Sequence, residues 1–159
     1  MYRWIELIML NQKKILEDIK NIRRTNKKIV FTNGCFDLLH TGHEDLIKTS
    51  NSYGDKLVIG LNSDESVKRL KGMDRPIQNE IDRKKALIDT GYVEKVYIFN
   101  DDTPLDLIFL IKPDILVKGG DYVPKEIVGY EEVISSGGEI KIVPLTPGYS
   151  TTSIIEKMH

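Results

Sequence analysis

The constraint that weighs most on this chain is an alternation of two periodicities. Five short runs rich in β-branched and aromatic residues, Lys28 to Asn33, Asp55 to Leu61, Lys95 to Phe99, Asp114 to Lys118 and Glu139 to Val143, read as strands. Between them the apolar residues fall at helical spacing. Ile15, Leu16, Ile19 and Ile22 mark one face of a helix over Gln12 to Arg24. Thr41 to about Tyr53 is a second helix, with Gly54 to end it. Ser63 caps a short helix through Val67 and Leu70, and the basic segment Lys68 to Pro76, punctuated by glycine and proline, reads as a loop. Further helices are expected from Asn79 or Glu80 to Thr90, from Thr103-Pro104 to Ile111, from beyond Tyr122 to about Ser136, and from near Ser150. Strands that alternate with helices of about ten to fifteen residues pair in parallel through right-handed crossovers. The expected fold is α/β, an open five-stranded parallel sheet with helices on both faces.

In such a sheet ligands bind beyond the carboxyl ends of the strands, where strand order reverses. Three unusual segments follow strands one, four and five. The first is Thr32-Asn33-Gly34-Cys35-Phe36-Asp37-Leu38-Leu39-His40-Thr41-Gly42-His43. The chain has three histidines, and His40 and His43 stand three residues apart at a helix start, which puts both imidazoles on one face. Gly42 lets a ligand approach the backbone, and the free amides and dipole of the helix N-terminus favour an anion. Imidazoles that donate hydrogen bonds there suit a phosphate gaining charge during reaction.

The second segment, Lys118-Gly119-Gly120-Asp121-Tyr122, joins a cation, two permissive glycines, a carboxylate and an aromatic; an ordinary glycine turn with solvated charges is the bland alternative. The third, Gly148-Tyr149-Ser150-Thr151-Thr152-Ser153, has more hydroxyls than an N-cap needs, and with free amides they would hold a polyphosphate. Arg83, early in its helix, offers a bidentate guanidinium to a phosphate, or simply a solvated face shared with Lys84 and Lys85. Lys48 follows His43 on the same helix and Lys71 lies on the basic loop; surface charge accounts equally for either.

Composition excludes several classes. With 23 basic and 24 acidic residues the net charge is −1, which leaves no nucleic-acid footprint. No apolar run approaches the ~18 residues of a membrane span. Cys35 is the single cysteine, so an intramolecular disulfide is impossible, and a small buried thiol in a reducing cytoplasm is the expected reading. The first residues, Met1 to Leu10, are apolar but contain Arg3 and Glu6 and have no small-residue cleavage site, a poor signal peptide; a start at Met9 would remove residues 1–8. At 159 residues one domain is expected, with residues 1–27 as an extension and helix packed on a unit of residues 28–159.

The ordered set Asn-Gly-x-Phe-Asp-x-x-His-x-Gly-His after strand one resembles the cytidylyltransferase-like branch of the nucleotidylyltransferases, whose fold is Rossmann-like. Adding Asn62-Ser63-Asp64, Arg69 to Gly72, Arg75-Pro76, Asp102-Thr103-Pro104, Lys118 to Tyr122 and Ser150-Thr151-Thr152, residues 12 to 158 are similar to the bacterial D-glycero-β-D-manno-heptose 1-phosphate adenylyltransferases. The resemblance implies transfer of AMP from ATP to the sugar phosphate, giving ADP-heptose and pyrophosphate for lipopolysaccharide core or another surface glycan. It implies His40, His43, Lys48 and Arg83 as the catalytic set. Thr32, Asn33 and Gly34, with Phe36 and Gly42, would shape the phosphate turn, Asp37 would orient the site or the sugar, Lys118, Gly120, Asp121 and Tyr122 would meet the nucleoside, and Ser150, Thr151 and Thr152 the polyphosphate.

It further implies Mg²⁺ carried by the nucleotide phosphates, with no protein metal ligands, and a cytoplasmic homodimer that needs no membrane or nucleic acid. Without a kinase segment the chain resembles the stand-alone form or a separated second half of the bifunctional kinase and adenylyltransferase, and the former implies a separate heptose 7-phosphate kinase in the same pathway. Glycerol-3-phosphate cytidylyltransferase, which depends on CTP, shares the histidine motif and a Ser-Thr-Thr segment. Leu145 stands where that family has an arginine, and Lys118 to Tyr122 departs from its glycine-aspartate stretch. A noncatalytic nucleotide-binding module on the same fold would need neither histidine.

Overall fold

A computed structural model describes residues 2–145. Helix α1 spans Tyr2–Arg24, and β1 Ile29–Gly34 follows after a short turn. The chain continues through α2 Thr41–Ser52, β2 Lys56–Asn62, α3 Asp64–Lys71, α4 Glu80–Asp89 and β3 Lys95–Phe99. It closes with α5 Leu105–Ile111, β4 Ile115–Gly119, a 3-10 turn at Pro124–Glu126, α6 Tyr130–Ser135 and β5 Glu139–Val143. Among the described residues the five strands make one sheet in the order β3-β2-β1-β4-β5, every pair parallel. This is the expected Rossmann-like architecture.

Strand alternation builds the two layers. Ile29, Phe31 and Val58 point to one face and meet Ile15, Ile19 and Ile22 of α1 and Leu107, Ile108 and Ile111 of α5. Val30, Leu57, Ile59 and Leu61 point to the other and meet Ile47 of α2 and Leu87 of α4. Each of these aliphatic side chains contributes about 1.5–3 kcal/mol by leaving water. Polar anchors fix where β1 begins: the Asp114 carboxylate accepts from Ile29 N at 2.8 Å and from Arg23 Nη1 at 3.2 Å, while Asp55 accepts from Lys28 N at 2.8 Å.

Three boundaries differ from the sequence reading. Helix α1 begins at Tyr2, ten residues before Gln12, because nothing in the leader breaks a helix, neither glycine nor proline. Helix α3 runs on to Lys71, so the basic segment is half helix, and the loop begins at Gly72, whose φ of 111° favours glycine. The expected long helix after Tyr122 is instead a 3-10 turn and the short α6, divided at Gly129. Its φ is 92°, and a Cβ there would meet Ile108 Cδ1 at 2.7 Å.

The crevice follows from register. Strand β1 pairs with β2 along its whole length, from Ile29 beside Lys56 to Gly34 beside Leu61. Against β4 it pairs only at Val30 with Ile115 and Phe31 with Leu116. The two central strands therefore part toward their carboxyl ends, at the point where strand order reverses.

Candidate active site

The histidine motif fills that opening. The Thr32 hydroxyl, buried, donates to Val117 O at 2.9 Å and ties β1 to β4 just where they separate. Thr32 thus shapes the turn and does not present a hydroxyl to ligand. Asn33, Gly34 and Cys35 then face a cavity, while the backbone turns sharply: Phe36 and Leu38 have φ of 47° and 54°, an uncommon conformation for bulky residues. A Cβ on Gly34 would stand 3.1 Å from the Phe36 ring, so the turn can tighten only around glycine.

His40 is the N-cap of α2, its Nδ1 accepting from His43 N at 3.3 Å. The two rings stack at 3.7 Å between centroids with 20° between planes, and the Phe36 ring meets His43 edge-on at 5.3 Å. The sequence spacing therefore does place both imidazoles together, above a buried Gly42 in the first turn. Burial lowers the pKa of both. For His43 the neighbouring His40 and the positive charge of Lys71 add to burial and bring it down to about 3. His43 is consequently neutral near pH 7, with one ring nitrogen protonated. Its Nδ1 is buried and has no hydrogen-bond partner, a state that costs free energy unless something polar arrives.

Asp37 ties the motif turn to its surroundings. Its buried carboxylate accepts from Arg75 Nε at 3.0 Å, Ile77 N at 2.8 Å and Gln78 N at 3.0 Å, pinning the loop after α3 to the motif turn. Burial opposes its ionisation, but the two amides and the guanidinium outweigh that and hold the carboxyl below its ordinary value. Arg83 corrects the sequence reading more sharply. It is fully buried, and donates to Gln78 O at 2.9 Å, Cys35 O at 2.8 Å, Asn62 O at 2.7 Å and Asp64 Oδ1 at 2.8 Å. These four hydrogen bonds commit most of its guanidinium to the scaffold. Arg75, by contrast, keeps a buried Nη2 without a partner. Lys48 is exposed on α2; five positions beyond His43 it lies about 140° round the helix from it.

At the end of β4, Lys118 faces the same cavity as Asn33 and Gly34, its ammonium 5.3 Å from the centre of the Tyr122 ring, and burial lowers its pKa. Gly120 has φ 118° and its amide donates to Val143 O at 2.9 Å, joining this turn to β5. Asp121 is exposed. Ser150, Thr151 and Thr152 lie outside the described residues. The cavity, about 500 Å³, is also bounded by Asn62, Lys71, Asp102, Thr103 and Glu126; of these the sequence reading weighs only Lys71 by itself, as a loop cation or plain surface charge, and takes Asn62, Asp102 and Thr103 only as part of the resemblance. Lys71 had one usable signal, its place at the carboxyl end of a basic helix beside the motif. Burial raises the Cys35 thiol pKa, so it stays protonated between the lysines. Among the described residues no three His, Cys, Asp or Glu side chains come together to hold a metal.

A parallel sheet with a neutral imidazole pair on the helix at its switch point defines a nucleotide-handling α/β protein. The chain belongs to the cytidylyltransferase-like family, whose pattern matches residues 31–157. It is 49% identical over 151 residues to the bifunctional protein HldE of Koribacter versatilis, covering 95% of this chain and 31% of that protein. With the bifunctional protein HldE of a Marinomonas species the identity is 50% over 149 residues, 94% of this chain and 31% of the relative. The HldE of Geobacter metallireducens is 54% identical over 132 residues, 83% of this chain and 27% of that protein. This chain thus spans about a third of the length of the curated relatives it matches. Among solved structures, the lipopolysaccharide core biosynthesis protein from Thermoplasma volcanium superposes with a TM-score of 0.60 at 25% identity, covering 76% of this chain and 97% of that one.

Proposed function

We propose that this chain transfers AMP from ATP to D-glycero-β-D-manno-heptose 1-phosphate, releasing pyrophosphate and forming ADP-heptose. The observation that carries the reading is the stacked, neutral His40–His43 pair on the first turn of α2, at the sheet's switch point. Supporting it are the family match and the relatives' printed name, bifunctional protein HldE, together with the neighbour's role in lipopolysaccharide core biosynthesis.

An oxygen of the sugar 1-phosphate, already ionised near neutral pH, attacks the α-phosphorus of ATP, and the bond to the β-phosphate oxygen breaks with its electron pair leaving on pyrophosphate. The nucleophile needs no strong base. The protein's part is positioning and charge stabilisation. Protonated ring nitrogens of His40 and His43, with the free amides of α2, donate to the α- and β-phosphate oxygens as charge builds. Lys118, Gly120, Asp121 and Tyr122 serve the nucleoside, and Ser150, Thr151 and Thr152 the polyphosphate. Lys48 adds only to the field around α2.

The donors around the motif are imidazoles, amides and ammonium groups, which suit phosphate better than a hard cation. Mg²⁺ fits here as an ion held by the nucleotide's own phosphates, where it neutralises charge. No helix among the described residues is long and apolar enough to cross a membrane. The reaction belongs to the cytoplasm, where nucleotide substrates are made, with a kinase supplying the sugar phosphate. Residues 1–27 form an extension and helix on a transferase unit of residues 28–159. Ile5, Leu7, Ile8, Met9 and Leu10 are exposed around the first half of α1 and provide apolar area for a homodimer, tested by light scattering.

The deciding experiment is pyrophosphate release by purified protein with Mg²⁺, offering ATP, CTP, GTP and UTP in turn against the heptose 1-phosphate and glycerol 3-phosphate. Turnover with ATP and the heptose phosphate is expected. Turnover only with CTP and glycerol phosphate, or nucleotide binding with no turnover, would replace the reading with a cytidylyltransferase or a noncatalytic module.

A further inference from the structure

We propose that the exposed start of α1 is an arm that seats in the groove between α5 and α6 of a second copy of this chain, each arm in the other's groove. This rests on the homodimer reading above and deepens it by naming both halves of the contact. Helix α1 packs on its own sheet through Ile15, Ile19 and Ile22. A second stripe, Arg3, Leu7, Leu10 and Lys14, falls within about 60° round the helix and roughly 120° from the first. Leu7 and Leu10 are 61% and 63% exposed, and a cation stands at either end of the pair. Two uncovered leucines one turn apart call for an apolar partner surface.

The groove supplies one. It encloses about 460 Å³ between Ile108, Phe109 and Lys112 at the end of α5 and Glu131, Glu132 and Val133 of α6. Phe109 is 53% exposed, an apolar wall with no cover. An amphipathic helix lays anchors spaced like Leu7 and Leu10 into such a groove. Two carboxylates against one ammonium leave its rim acidic, opposite in sign to the stripe's Arg3 and Lys14. Rigidity excludes the arm's own groove. Arg23, near the far end of α1, donates to Ile111 O and Lys112 O, which fixes that end of the helix beside the groove. From Arg23 back to Leu10 the helix is unbroken, about 20 Å at 1.5 Å per residue, so Leu7 and Leu10 cannot turn back to reach it. Reciprocal exchange closes as a two-fold dimer with the contact made twice. The groove opens where α5 and α6 end, at the amino ends of β4 and β5, so the contact leaves the cavity at the carboxyl ends open.

The test is sedimentation velocity on the full chain over a range of concentrations. Leu10→Glu and, separately, Phe109→Glu should each weaken the dimer about 100-fold, with circular dichroism matching the parent. Charge reversal is the sharper probe. One variant carries Arg3→Glu with Lys14→Glu, the other Glu131→Lys with Glu132→Lys, and each alone should dimerise about tenfold more weakly. An equimolar mixture of the two should recover the parent's affinity, because every arm then meets a groove of opposite sign. Failure of the mixture to recover, or a dimer untouched by all these changes, would overturn the contact and leave the homodimer reading standing. A parent chain that stays monomeric, with or without binding to anionic lipid vesicles, would sink both. Particles that grow past the dimer with concentration would overturn the reciprocal exchange.

Discussion

His43 has an unpartnered ring nitrogen beside a helix N-terminus, and Arg83 has a guanidinium surrounded by partners; the two make opposite predictions. Replacing His43 by alanine should lower kcat by about 10²-fold, as removal of an oxyanion donor does, with circular dichroism unchanged. Full activity in that variant would remove the imidazole from the mechanism. Arg83→Met should act on the fold instead. It strips Cys35 O, Asn62 O and Gln78 O of a donor and leaves Asp64 without its cation, so urea denaturation should show a loss of about 3 kcal/mol or more. A stable Arg83→Met protein with a raised KM for ATP would instead return Arg83 to the phosphate.

Among elements, the contact of β2 with β1 and α5 is a close expression of the layered design. Gly60 lies opposite Asn33 in register, and a Cβ there would stand 2.9 Å from Phe31 Cζ and 3.0 Å from Leu107 Cδ2. Gly60→Ala should therefore cost about 1–3 kcal/mol by overpacking, read as a lower denaturation midpoint at unchanged slope. A neutral result would mean that α5 can lift from the sheet without penalty. Because β1 carries the motif at its end, that variant should also perturb activity more than an equal loss of stability in α6 would. The loop after α3 is coupled to the same strand by Asp37, which links the element bearing Lys71 to the element bearing the histidines.

For the whole molecule, protonation equilibria set the acid limit. Folded His43 remains neutral down to about 3, whereas the unfolded chain takes up that proton near 6.5. Between those values the unfolded state binds more protons, so stability is complete above 6.5 and falls as pH falls through the window. Burial lowers His40 in the same sense. Asp37, held below 3.8, adds stability present above 3.8 and lost as its folded value is crossed. Urea midpoints should therefore begin to decline at the histidine edge and not at the carboxylate one. In His43→Gln the decline between 6.5 and 3.8 should be shallower; an identical profile would show that His43 is protonated in the folded protein.

The sequence by itself determined the sheet and the histidine pair, because both depend on short-range periodicity. Apolar alternation at two residues and at about 3.6 is a local property, and so is the three-residue spacing that stacks His40 on His43. The leader's helix and the division of the segment after Tyr122 were less legible, since nothing local distinguishes a continuing helix from a loop once packing decides. Only the tertiary structure decided which arginine is spent and which is open. Arg83 is satisfied by carbonyls at Cys35, Asn62 and Gln78 that come together only when β1, β2 and the loop after α3 converge. The cavity likewise draws Lys71 from the end of α3, Asp102 from the loop before α5, Lys118 from β4 and Glu126 from the 3-10 turn. A pattern along the chain records periodicity, and a hydrogen-bond donor is consumed or left free by groups that the pattern does not connect to it.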